Sequence, residues 1–205
     1  MVPFAILTVG VLINFLPLPA KAEMETYMID TVHSSANWKI RHLFSKVSGT
    51  FADVTGTIWV DRDQLETAKV QATMTVKSLD TNHEKRDTHL LSSDFFNEEK
   101  FPLMRFVSTS VEATGKNEGF IYGDLTMHGV TRSVKLEFKV LGFGPDPWGG
   151  YRSGFEASTT LKRSDYGITY GLDDKGGGAV GDEVEVTILL EGIKLGPDGA
   201  PFKVK

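Results

Sequence analysis

The sequence predicts an all-β fold of antiparallel strands, a sandwich or a barrel, with one short helical insertion. Three observations predict it. Apolar and polar residues alternate with period two along most of the chain after residue 22. Glycine and proline clusters separate these runs at short intervals. One segment, between about residues 81 and 96, loses the alternation. Period and composition alone do not choose between sandwich and barrel.

The chain opens on an apolar run from Phe4 to Leu18, broken by Asn14 and Pro17, and followed by Pro19-Ala20-Lys21-Ala22. Small residues at positions 20 and 22 fit a signal-peptidase site, so residues 1–22 are expected to be a signal peptide cleaved after Ala22. The run is short for a membrane span and bounded by prolines, although it lacks the basic residue that ordinarily precedes a signal's apolar core. Export would place the protein in the periplasm, with no integral membrane span after cleavage.

The strands follow in order. Ala36, Trp38 and Ile40 share a face opposite Asn37, Lys39 and Arg41. Phe44–Phe51 and Val54–Asp61 fit two further strands. Val70, Ala72, Met74 and Val76 then alternate with Gln71, Thr73, Thr75 and Lys77. Thr81-Asn82-His83-Glu84 has the form of a capping box, and Lys85 to Ser93 reads as a short helix. Ser93 to Phe96 continue the insertion and Pro102 ends it. Its Leu90, Leu91, Phe95 and Phe96 suit either a lid over a barrel mouth or a plug in its open end. Strands resume at Arg105–Glu112, Phe120–Met127, Val134–Val140, Gly154–Leu161 and Val184–Leu190. The domain is expected over 23–195, with 196–205 as a flexible, Gly- and Pro-containing tail.

Composition excludes several functions. A net charge of −5 without a basic run argues against nucleic acid and anionic lipid heads. The absence of cysteine rules out disulfides, thiolate metal sites and cysteine nucleophiles. His83 and His89 stand six residues apart, roughly 240° around a regular helix, so they cannot chelate together. No His-x-His or His-x-x-x-His occurs, and no metal is expected. Gly-x-Ser-x-Gly is absent, and Gly176-Gly177-Gly178 lacks the Lys-Ser/Thr of a phosphate loop. One polar cluster remains: Arg86, Asp87 and His89 beside Leu90. It reads either as a local tie between insertion and barrel or as a receptor for a ligand's head group.

These residues carry a resemblance. Ile29-Asp30 with His33-Ser34, Arg41-His42-Leu43 and Gly49-Thr50-Phe51 resemble the opening strands of the YceI-like family. The most specific match is Asp80-Thr81-Asn82 with Arg86-Asp87-Thr88-His89-Leu90 and Ser93-Asp94-Phe95-Phe96-Asn97. Gly123-Asp124-Leu125-Thr126, Asp146-Pro147-Trp148-Gly149-Gly150 and Arg163-x-Asp165-Tyr166-Gly167-Ile168 follow in order.

The resemblance implies a lipocalin-like eight-stranded antiparallel barrel whose bore holds a polyisoprenoid or similar long lipid, a quinone or polyprenyl phosphate among them. It also implies a binding protein and not an enzyme, and suggests a homodimer by analogy. The candidate ligand-binding set is Trp38, Ile40, Arg41, Arg86, His89, Leu90, Phe95, Phe96, Met104 and Phe106, with Arg86 and His89 at the head group and Asp87 holding Arg86. The rival readings are a stress-related structural barrel with a packed bore, and an enzyme of isoprenoid lipids using His89 with Asp87.

Overall fold

The structure, a computed structural model, describes residues 23–173 and 178–204. The segment 1–22 expected as a signal peptide lies outside the described residues, as do Gly176 and Gly177 of the glycine run.

Eleven strand segments are described: β1 Glu25–Ile29, β2 Ser35–His42, β3 Ser45–Phe51, β4 Val54–Val60, β5 Lys69–Thr75, β6 Leu79–Asp80, β7 Leu103–Ala113, β8 Glu118–Met127, β9 Val130–Pro145, β10 Tyr151–Lys162 and β11 Val180–Lys194. One α-helix, α1, spans Glu84–Leu91. Strand β11 pairs with β2 along its first part, Val186 opposite Trp38, and with β1 along its last, Ile193 opposite Met28. Segments β1 and β2 are therefore one stave, bent at a 3-10 turn over Thr31–His33 that the Asp30 carboxylate caps. The same holds for β3 with β4 and for β5 with β6, since β3 pairs with β6 and β4 with β5.

The result is eight staves, each paired antiparallel with the next in sequence, the last returning to the first. That closing β1–β11 pairing decides for a barrel over a sandwich, and closure leaves the circuit without an edge. The fold is the lipocalin-like eight-stranded antiparallel barrel with a helical insertion that the family resemblance implied.

The insertion sits between β5 and β7, at the end that also carries the β2–β3 and β8–β9 turns. Its cap differs from the expected box. His83 is the N-cap, its Nδ1 accepting from the Arg86 N–H at 3.3 Å, and the helix begins one residue before the expected Lys85. Thr81 is drawn away because its hydroxyl bonds the Asp87 carboxylate. Val76 leaves the strand pattern as well. It opens a 3-10 turn, Val76–Ser78, yet stays buried because the turn folds inward against Met104 and Leu79.

Residues expected as a loose tail fold back on the opposite barrel end. Leu195 bridges Pro201, the Phe202 N–H donates to Lys194 O at 2.8 Å, and the Val204 N–H donates to Gly149 O at 2.9 Å. Backbone pairing of this kind holds a short polar segment that composition alone marks as free.

Candidate ligand-binding bore

A cavity of 730 Å³ runs through the barrel. That lies within the roughly 300–1,000 Å³ of small-molecule sites. The alternating positions read from sequence build its wall: Ala36, Trp38 and Ile40 from β2; Val70, Ala72 and Met74 from β5; Leu136, Phe138 and Val140 from β9; Val184, Val186, Ile188 and Leu190 from β11. Period two puts every second side chain of each stave inward, so the bore is apolar along its length.

Two glycines make room for its aromatic rings. A Cβ at Gly49, opposite Trp38 in the β2–β3 register, would collide with the Trp38 indole. A Cβ at Gly123 would stand 2.5 Å from Phe106 Cζ. Each ring therefore lies across a stave and narrows the bore without closing it.

The insertion forms the mouth. Thr81 is its hub: the Arg86 guanidinium donates to Thr81 Oγ1 at 2.8 Å and to Thr81 O at 2.7 Å. Asp87 accepts from the Thr81 N–H at 3.0 Å and from the Thr81 hydroxyl. Arg86 and Asp87 thus meet through Thr81, and the tie binds the helix to the strand end before it. His89 Nε2 pairs with Asp94 Oδ2 at 2.8 Å, and its ring packs edge-on against Phe95 and Tyr170, centroids 5.1 and 4.9 Å away. Phe96 stands edge-on to Phe51 at 5.4 Å. Leu90, Phe95 and Phe96 face the cavity from above, so the insertion covers the bore as a lid and does not fill it.

Nine of the ten candidate residues stand on the cavity wall: Trp38, Ile40, Arg86, His89, Leu90, Phe95, Phe96, Met104 and Phe106. Arg41 does not. It follows Ile40, so the pleat turns it outward, where its guanidinium donates to Leu43 O at 3.4 Å and Gly178 O at 3.1 Å. The dyad considered for an enzyme is not assembled either, since Asp87 bonds Thr81 while His89 bonds Asp94. Sequence reasoning left Phe51, Phe138, Phe155 and Tyr170 out of the set, though all line the bore. Alternation was the signal for Phe138; Tyr170 lies in the turn after β10, where no period operates.

Two buried polar features stand near the mouth. Arg163, 4% exposed, donates to Gly181 O at 2.7 Å, Ile168 O at 3.0 Å and Val180 O at 3.1 Å, tying the turn after β10 to the start of β11. Burial lowers its pKa, against the charge of nearby Asp182. Among the described residues, the buried Trp38 Nε1 has no hydrogen-bond partner.

The far end carries a charged cluster. Arg62 grips Glu25 with two bonds, Nε to Oε2 at 2.6 Å and Nη2 to Oε1 at 2.9 Å, and lies 4.4 Å over the Phe143 ring. Burial disfavours the Glu25 charge, but hydrogen bonds from Lys194, Arg62 and Tyr27 outweigh it and hold the carboxyl below its ordinary value. Beside this, Asp30, His33 and Glu191 converge with donor atoms within 4.8 Å of one another. Arg152 already serves this group, bonding Asp30, Glu191 Oε1 at 2.9 Å and Asp146 Oδ2 at 3.1 Å. A guanidinium in that position supplies the positive charge a cation would bring.

The geometry agrees with the kinship. Residues 27–192 match the model of the YceI-like domain. The chain belongs to the YceI-like family. A UPF0312 protein of Ectopseudomonas mendocina is 45% identical over 163 residues that cover 79% of this chain and 83% of the relative. Protein YceI of Salmonella arizonae is 45% identical over 163 residues, covering 79% and 82%. Among solved structures, the Campylobacter jejuni YCEI protein superposes with a TM-score of 0.65 at 29% identity, over 74% of this chain and 87% of that one. A polyisoprenoid binding domain from Saccharophagus degradans superposes with a TM-score of 0.61 over 81% and 97%; at 15% identity it shares the YceI-like fold alone.

Proposed function

We propose that the protein is a periplasmic carrier that holds a polyisoprenoid or similar long apolar lipid in its bore. One observation carries the reading: the 730 Å³ cavity is walled mainly by apolar side chains, and Arg86 and His89 of the insertion are among the few polar groups that line it. Such a bore suits a slim chain, and each buried CH₂ contributes ~0.8 kcal/mol, so ten carbons supply roughly 8 kcal/mol before ordering costs. No bond to a polar group is needed for retention.

At the mouth, the unpartnered Trp38 Nε1 and the Arg86 and His89 side chains suit an oxygen-bearing head group such as a quinone or a phosphate. The protein acts by binding and carries out no reaction. The solved polyisoprenoid binding domain supports this reading by fold. The apolar run from Phe4 to Leu18 followed by Ala20-Lys21-Ala22 supports export.

Extraction of protein purified from its own host with organic solvent, followed by mass spectrometry, tests the reading. Near-stoichiometric isoprenoid lipid is the expected result. A protein that yields none, while remaining folded, belongs with structural barrels instead.

A further inference from the structure

The β2–β3 turn breaks a rule that the neighbouring turn obeys. At the same barrel end, β8 and β9 are joined by His128 and Gly129, both at positive φ, 50° and 74°. That is what a two-residue hairpin turn favours, with Asn, Asp or Gly as its usual residues. Between β2 and β3 the two turn residues are instead Leu43 and Phe44. Leu43 holds φ 49°, a region leucine seldom adopts, and Phe44 is 104% exposed. Local departures of this kind concentrate where a protein works.

The tip is held in place. The Leu43 N–H donates to Ala179 O at 2.9 Å, and Arg41 donates to Leu43 O. His42 and Val47, on either side of it, line the bore. Val180, next to Ala179, rests near Gly171, whose neighbour Tyr170 is half exposed and packs against His89 and Phe95. Leu43 and Phe44 at the β2–β3 tip and Tyr170 in the turn after β10 thus stand exposed at the same, mouth end of the barrel. Arg41 stands beside the tip, its guanidinium donating to the carbonyls of Leu43 and Gly178. Rings with one apolar body and a nearby polar or cationic group suit the boundary between lipid and water.

We propose that this mouth end docks on the surface of a lipid bilayer, Phe44 entering the interfacial layer, so that the bore loads and unloads from the membrane side. The inference rests on the carrier reading, because a ligand too apolar to cross water must be met where it resides. A projecting two-residue tip fits insertion better than it fits a broad, flat protein interface.

Flotation of the exported protein with vesicles of phosphatidylethanolamine and phosphatidylglycerol tests it, comparing the parent with Phe44→Ser and Phe44→Trp. Phe44→Ser should lower partitioning about tenfold or more, because one large ring leaves the lipid. Phe44→Trp should restore it, and its added fluorescence should be quenched by vesicles with brominated acyl chains. High salt should change little, since the contact is chiefly apolar. Equal flotation of parent and Phe44→Ser, or no quenching at position 44, overturns the proposal. So does a drop in oligomer size in Phe44→Ser, which assigns the tip to a second copy of the chain. Solvent extraction of the parent separates the two levels. Lipid present with no flotation overturns docking alone, whereas flotation that depends on Phe44 without extractable lipid upholds docking and overturns the carrier reading.

Discussion

Single side chains set the width of the bore. Trp38 and Phe106 lie along its wall because Gly49 and Gly123 of the neighbouring strands offer bare backbone beneath their rings. Gly123→Ala should therefore drive Phe106 from its place and cost about 1–3 kcal/mol, as overpacked cores do, read as a lower urea midpoint. An unchanged midpoint would show that the ring moves freely. Arg163 is the second point of dependence. Replacing it with Met leaves three buried carbonyls without their donor, and a loss of roughly 3 kcal/mol is expected in the same titration. Neither pairing was legible in sequence. Gly49 and Gly123 were visible as turn or strand glycines, but which ring lies on each depends on strand register, and register is a tertiary fact.

The insertion is the element that composition read best in place and least well in detail. Its position, its short helix and its apolar Leu90, Phe95 and Phe96 were all expected from the loss of period two. The cap was misassigned because Thr81 has a stronger partner than the helix amide: the Asp87 carboxylate takes both its N–H and its hydroxyl. Alternation placed Trp38 and Ile40 on one side of their strand, yet in a barrel either side can bury apolar groups, so only the closed sheet names the bore. Arg41 was misplaced because a motif match carries no face, whereas the pleat does.

If Thr81 ties the lid to the barrel, Thr81→Val should cost about 1–3 kcal/mol and speed exchange of bound lipid with acceptor vesicles. Slower or equal exchange with unchanged stability would mean that the lid is held elsewhere. The far end makes a prediction of another kind. Glu25, Asp30 and Asp146 have folded-state pKa values below their ordinary ones. Their contribution is complete above the unfolded values and is lost as the pH falls through the folded ones. The melting temperature should drop on acidification below about pH 4, and Glu25→Gln should flatten that fall. A melting temperature indifferent to acid would contradict the stabilising role of the Arg62–Glu25 pair.

At the scale of the whole molecule, one closed sheet makes both the fold and the cavity, because eight staves enclose a space that their inward side chains do not fill. The central claim is that this interior, and not the outer surface, holds the lipid chain. Phe106 and Val107 are adjacent on β7 and point opposite ways: Phe106 lines the bore, while Val107 is 46% exposed. The most direct measurement is lipid extracted per mole of protein from the parent, Phe106→Asp and Val107→Asp, each first shown to be folded by circular dichroism. An unpaired carboxylate in an apolar bore costs several kcal/mol, so Phe106→Asp should come away without lipid while Val107→Asp retains as much as the parent. Equal lipid in folded Phe106→Asp and in the parent would contradict the bore as the binding site.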